Sequence, residues 1–199
     1  MAGMAAALRH MGFETWTGEY ASTSISIPEA ADALSRQLHA QLPGRELHAV
    51  THSLGGVVVR HLGERGLHWK RIVMLAPPNR GSRIARSLRD VSLFQGLYGP
   101  AGQGLGDAVD VAQPWPYPPA PFAVIAGRRR FAWTSPTSWL TRFMFPDEAE
   151  HDGTVLVEET RLEGASAFAT VDAAHSGIID DPQAQLLTAS FLRDGVFRL

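Results

Sequence analysis

Val50-Thr51-His52-Ser53-Leu54-Gly55-Gly56 is the stretch whose reading decides the fold. Just before it, Leu47 to Thr51 is a short apolar run flanked by charge, which predicts a buried strand. Just after it, Leu54, Val57, Val58 and Leu62 share one helical stripe, so a helix is predicted over Leu54 to Gly66. Ile72 to Ala76 is a second apolar run, too short for a helix. Strand, helix and strand at this spacing form a βαβ unit, which demands parallel pairing and a right-handed crossover. A Ser at the strand–helix junction sits on a tight turn that holds its hydroxyl clear of the backbone. Small residues two before and two after it let strand and helix approach. The Leu54 backbone N–H, at the helix start, is a natural donor to an oxyanion formed near that hydroxyl. The bland alternative is a Ser–Gly turn that only caps a helix; the strand–turn–helix context favours a nucleophile.

Outward from this unit the same patterns recur. The first ten residues predict an Ala-rich helix with Met4, Leu8 and Met11 at helical spacing, ended by Gly12. Phe13 to Thr17 alternates like a strand. Ser26-Ile27-Pro28-Glu29 is a capping-box pattern, opening a helix with Ala30, Leu34, Leu38 and Leu42 on one face. Gly81 to Arg89 predicts a further helix, Phe122 to Ala126 and Ala167 to Val171 two more buried strands, and Pro182 to Leu192 a terminal helix. The prediction is a single α/β domain over residues 1–199, a mostly parallel sheet with helices on both faces. Irregular stretches at about 91–121 and 128–151 interrupt it, the second holding Trp133, Trp139, Phe143 and Phe145. Long loops in compact domains commonly border function.

Composition narrows the class. One core accommodates 199 residues, and 18 Lys+Arg against 20 Asp+Glu leave a formal charge of −2. That excludes the broad basic footprint of phosphate-driven nucleic-acid binding. With 0 Cys there are no disulfides, thiolate nucleophiles or Cys-type zinc sites. No apolar run approaches the ~20 residues needed to span a bilayer, so no transmembrane segment is expected. The first ten residues carry no basic region leading into a long apolar stretch, so a cytoplasmic location is expected for the chain as written. Arg128-Arg129-Arg130 reads as a solvated charge cluster. Gly102, Gly104 and Gly106 follow no strand and are no dinucleotide fingerprint.

The Thr51-to-Gly55 segment resembles the nucleophile elbow of the α/β-hydrolase superfamily, Gly-x-Ser-x-Gly, with Thr51 in place of the first Gly. The resemblance implies the chain order Ser, acid, His. His175, in Val171-Asp-Ala-Ala-His175-Ser-Gly177, stands between the last strand and the final helix, where that superfamily places its base. Asp152, followed by Gly153, is favoured as the acid, with Asp147 and Asp172 as rivals. His52 is a poor rival base, because adjacent side chains on an elbow diverge. Leu75-Ala-Pro-Pro-Asn79-Arg-Gly81-Ser82 and Asp152-Gly-Thr-Val155 extend the likeness to compact bacterial lipases and esterases. The first of these is read as a strand stop and helix start bordering the pocket.

The resemblance implies a serine hydrolase that cleaves carboxylic esters with no cofactor and no metal. Ser53, Asp152 and His175 would be catalytic, and Leu54 N–H the oxyanion donor. A small-molecule or lipid-like ester is the implied substrate, the aromatic loops favouring an apolar acyl group. A thioesterase or acyltransferase with the same residues is the nearest alternative; a catalytically weak hydrolase-fold binding protein is the alternative from another class. Relatives also begin with a strand ending in His-Gly or a similar motif, whose loop gives a second oxyanion N–H. No such strand is read before Met4, and in-frame codons upstream are expected to encode it.

Overall fold

The computed structural model describes residues 1–21, 24–87, 100–101, 104–109, 111, 115–130, 145 and 148–199. Four strands, β1 (Glu46–His52), β2 (His68–Leu75), β3 (Phe122–Gly127) and β4 (Ala167–Val171), form one parallel sheet in the order β1-β2-β3-β4. Around it, among the described residues, lie α1 (Ala2–His10), α2 (Ile27–Gln41), α3 (Leu54–Arg60), α4 (Arg83–Ser87), α5 (Val157–Thr160) and α6 (Pro182–Asp194).

Each connection steps the same way across the sheet, so right-handed crossovers bring α3 and α4 to one face. The period-two alternation of the strands then divides the core. Val73, Leu75, Ala123 and Ile125 pack against Met4 and Leu8 of α1 and Leu187, Phe191 and Leu192 of α6. Ile72, Met74, Phe122 and Val124 face the other way, against Ala30 and Ala31 of α2, Val57 and Val58 of α3 and Ala85 of α4. All six residues of β3 are buried, as expected of a central parallel strand covered on both faces.

The capping box at Ser26 forms as predicted: the Ser26 N–H donates to Glu29 Oε2 at 2.7 Å, and Ser26 Oγ caps the Glu29 N–H. Four predicted elements differ. β2 starts at His68 and not at Ile72, because its first residues, His68 and Trp69, pair with Glu46 and Leu47 of β1. Phe13 to Thr17 forms no strand, because its contacts are side-chain contacts to helices and a ring rather than a ladder. Thr15 accepts from Arg9, Trp16 donates to Gln41, and Phe13 packs edge-on to the His48 ring. The helix after Ser53 stops at Arg60, and residues 61–64 continue only as turns toward Gly66, whose φ is 66°. The helix predicted from Gly81 begins at Arg83, since Gly81 has a φ of 83° and its Cβ would lie 2.7 Å from the Val109 nitrogen.

Among the described residues, no helix is long and apolar enough to cross a membrane.

Candidate active site

All four strands point their carboxyl ends at the same edge of the sheet, the place where open α/β sheets put their ligand sites. β1 passes into α3 at Ser53, which has φ 51° and ψ −124°. Ser53 and Ala76 (φ 45°) are the only non-glycine residues with positive φ among those described. Such a backbone is costly for a residue with a Cβ and persists where its surroundings fix it. Here the ladder does so: Ser53 N–H donates to Leu75 O at 2.9 Å, and Ala76 N–H to Ile125 O at 2.8 Å. The Leu54 N–H, first in α3, has no hydrogen-bond partner among the described residues.

The small residues around Ser53 have distinct jobs. A Cβ on Gly55 would lie 3.4 Å from the Thr51 Cβ, an ordinary contact, so the β-branched Thr51 crowds nothing at this position. The tightest approach is at the next glycine. A Cβ on Gly56 would come within 2.6 Å of Pro77 Cβ, so Gly56 lets α3 rest on the loop after β2.

Asp152 comes from the connection after β3 and His175 from the loop after β4. Gly127, the last residue of β3, lies between them: its Cβ would fall 2.5 Å from Ala173 O and 2.8 Å from Asp152 Cβ. Asp152 is 1% exposed, and the chain turns sharply beside it at Gly153, φ 91°. One carboxylate oxygen, Oδ1, accepts the N–H groups of Thr154 at 2.9 Å and Val155 at 2.8 Å. The other, Oδ2, lies 2.7 Å from Nδ1 of the buried His175. His175 Nε2 lies 2.9 Å from Ser53 Oγ. One tautomer satisfies both contacts: Nδ1–H donates to Asp152, and Nε2 accepts the Ser53 hydroxyl proton. Ser53, His175 and Asp152 are thus brought together in one hydrogen-bonded line.

Three further residues border this line; the sequence offers His52 only as a poor rival base and gives His151 and Glu159 no role. His52 Nε2 donates to the carbonyl oxygen of His175 at 2.9 Å, and the two rings lie 4.7 Å apart. Dehydration of the His52 ring, with the His175 imidazole beside it, presses its pKa down to about 3. His151 is buried against Phe145 with rings 4.0 Å apart; its Nδ1 accepts the Gly153 N–H, and burial lowers its pKa. Glu159 is buried too. Its Oε1 accepts the Arg83 N–H at 2.8 Å and its Oε2 the Leu156 N–H at 3.0 Å, joining α5 to the start of α4. Burial raises its pKa in spite of those two bonds.

Of the rival acids, Asp172 is exposed and pairs with Arg129 at 2.9 Å, where the guanidinium holds its carboxyl below the usual range. Asp147 lies outside the described residues, as do Trp133, Trp139 and Phe143. Two of the loop aromatics are used in packing. Phe145 joins Ile84 and Leu156 in a small core, and Trp115 packs at the edge of the α2/α3 core beneath the Arg60 guanidinium. Asn79, from the segment read as structural, is buried; it donates to Thr160 O at 2.9 Å and accepts from Arg60. No three His, Asp or Glu side chains converge as a metal site among the described residues.

No protein-family model matches the chain, and no curated protein matches it in sequence. Solved structures do. The mature form of the Bacillus licheniformis lipase BlEst2 aligns with a TM-score of 0.65 at 19% identity, over 87% of this chain and 76% of that one. The metagenomic carboxyl esterase MGS0156 gives a TM-score of 0.69 at 18% identity, over 88% of this chain and 58% of that one. Phospholipase PlaB from Legionella pneumophila, in complex with thio-NAD, gives 0.51 at 20% identity, over 72% of this chain and 34% of that one. At these identities the likeness is one of fold.

Proposed function

We propose, from the premise that this chain has the α/β-hydrolase fold, that it hydrolyses carboxylic esters with Ser53 as nucleophile, His175 as base and Asp152 as the acid that orients it. The observation that carries this reading is the line Ser53 Oγ–His175 Nε2 at 2.9 Å and His175 Nδ1–Asp152 Oδ2 at 2.7 Å. Ser53 Oγ attacks the ester carbonyl as its proton passes to His175 Nε2. Asp152, held by two backbone N–H groups, stabilises the imidazolium. The Leu54 N–H stabilises the tetrahedral oxyanion; such a donor contributes about 2.7–4 kcal/mol to the transition state. Collapse breaks the bond to the alcohol, which leaves with the proton from Nε2. Water then attacks the acyl-serine by the same route, releasing the carboxylic acid and restoring Ser53. The substrate is a small-molecule or lipid-like ester. The fold of the lipase and the carboxyl esterase supports this class of reaction.

Incubation with a fluorophosphonate probe tests the reading. Wild-type protein is expected to label at one site and to hydrolyse a p-nitrophenyl ester, and Ser53→Ala to do neither. An unlabelled wild type, or a Ser53→Ala variant that still turns over, overturns it.

A further inference from the structure

We propose that His52, the residue before the nucleophile, is a positioning residue that fixes the main chain of His175 and so holds base and nucleophile in register. The inference rests on the hydrolase reading above and assigns a role that reading does not use.

The connection is direct. His52 is covalently joined to Ser53, and its Nε2–H donates to the His175 carbonyl oxygen at 2.9 Å. The His175 N–H donates in turn to the Asp152 carbonyl oxygen at 2.9 Å. Both polar groups of the His175 peptide units are therefore occupied, one by the acid and one by the neighbour of the nucleophile. The carbonyl clamp acts at the start of the short 3-10 turn His175–Gly177, where the loop from β4 delivers the imidazole. The His52 and His175 rings also touch, with centroids 4.7 Å apart at 45°. Moving His175 away from Ser53 therefore breaks a hydrogen bond anchored one residue from Ser53 itself. A displacement of about 1 Å at reacting groups can cost about 10²-fold in rate.

The chemistry of the position also favours a donor without charge. When His175 takes the Ser53 proton it becomes a cation in contact with residue 52. A histidine held at about 3 stays neutral there and keeps its single N–H on the carbonyl. A lysine or arginine would supply a donor but would oppose the imidazolium.

Two substitutions of the full chain separate donor from filler. His52→Phe keeps a flat ring and removes the N–H; His52→Gln keeps an amide N–H. With a p-nitrophenyl ester, His52→Phe is expected to lower kcat about 10²-fold with KM changed less than about twofold, and fluorophosphonate labelling to slow in parallel. His52→Gln is expected to recover most of that loss. Wild-type kcat in His52→Phe, or equal losses in both variants, overturns the inference while leaving the hydrolase reading intact. A wild type that neither labels nor turns over overturns the reading and this inference together. Nitrogen-15 NMR of the wild-type histidines gives a measurement that needs no variant to fold. His52 is expected to keep the neutral Nε2–H form between pH 7 and about 5. Its titration in the ordinary histidine range overturns the inference.

Discussion

His175 and Asp152 are joined twice: the His175 N–H donates to the Asp152 carbonyl oxygen at 2.9 Å, and His175 Nδ1 meets the Asp152 carboxylate at 2.7 Å. A carboxylate tied to an imidazole by its side chain alone could swing away about its own Cβ. Here the main-chain bond fixes the distance between the two residues, so the side-chain bond has one geometry.

That double link sets the expected ranking of the carboxylates. Asp152→Asn keeps the shape but can present an N–H to Nδ1, favouring the wrong tautomer, and turnover should fall by about 10⁴-fold. Asp172→Asn removes only an exposed pair with Arg129 and should leave turnover within about twofold. Steady-state hydrolysis of a p-nitrophenyl ester by the two variants decides it; a large loss in Asp172→Asn would move the acid.

Acid should weaken the fold well before the carboxylates titrate. His52 is held at about 3 in the folded chain, and burial lowers His48, His61 and His151 as well. The unfolded chain binds protons on these groups below pH ~6.5 while the folded chain resists them, so stability falls as pH falls. For His52 alone, the step from pH 7 to 5 withdraws about 2 kcal/mol. Glu159, with its raised pKa, works in the opposite sense above its unfolded value. Urea midpoints at pH 7, 6 and 5 should therefore decline, and less steeply in His52→Phe than in the wild type. Equal slopes would show that His52 titrates alike in both states.

Glycine substitutions should sort by what a Cβ would meet. Gly127→Ala drives a methyl toward Ala173 O and Asp152 Cβ, at 2.5 and 2.8 Å, and Gly56→Ala drives one into Pro77 Cβ at 2.6 Å. Each should cost about 1–3 kcal/mol, and Gly127→Ala should also reduce turnover, since acid and base loops both shift. Gly55→Ala meets Thr51 Cβ at an ordinary 3.4 Å and should melt within a few degrees of the wild type. Thermal melts with the same ester assay give the order.

Arg60 is 1% exposed, and among the described residues no carboxylate is its hydrogen-bond partner. Its guanidinium donates to the carbonyls of Pro116 (2.6 Å), Trp115 (2.8 Å) and Asn79 (3.2 Å) and to Asn79 Oδ1 (3.1 Å). Burial lowers its pKa to about 10, which leaves it charged at neutral pH. Lysine cannot reproduce the planar fork, so Arg60→Lys should strand at least one buried oxygen and cost about 3 kcal/mol. A denaturation midpoint equal to wild type would contradict this.

The sequence is most readable where burial on both faces writes a continuous apolar run. Phe122 to Gly127 is such a run and lies within a residue of its predicted limits; Ala167 to Val171 also keeps its predicted limits, although four of its five residues are only partly buried. Phe13 to Thr17 has the alternation of a strand but no partner strand beside it, and pairing is a property of two segments. Ser53, Asp152 and His175 were legible because elbow, turn glycine and loop position each leave a local mark. His52 was not. Adjacent side chains do diverge on the elbow, yet the Nε2 of His52 reaches a carbonyl 123 positions away in sequence. Thr51 departs from the small-residue rule, and the structure shows the room for it: even a Cβ on Gly55 would stand an ordinary 3.4 Å from the Thr51 Cβ.

Ser53 holds a Cβ at φ 51°, a backbone region that glycine occupies without penalty. Ser53→Gly should therefore raise the unfolding free energy by about 1 kcal/mol while removing the hydroxyl. The most stable protein on this backbone is then not the active one. A library of variants sorted only for heat resistance should drift toward glycine at position 53, whereas one sorted for turnover should hold serine there. On the proposed reading, position 53 is held by turnover against what the fold alone would choose.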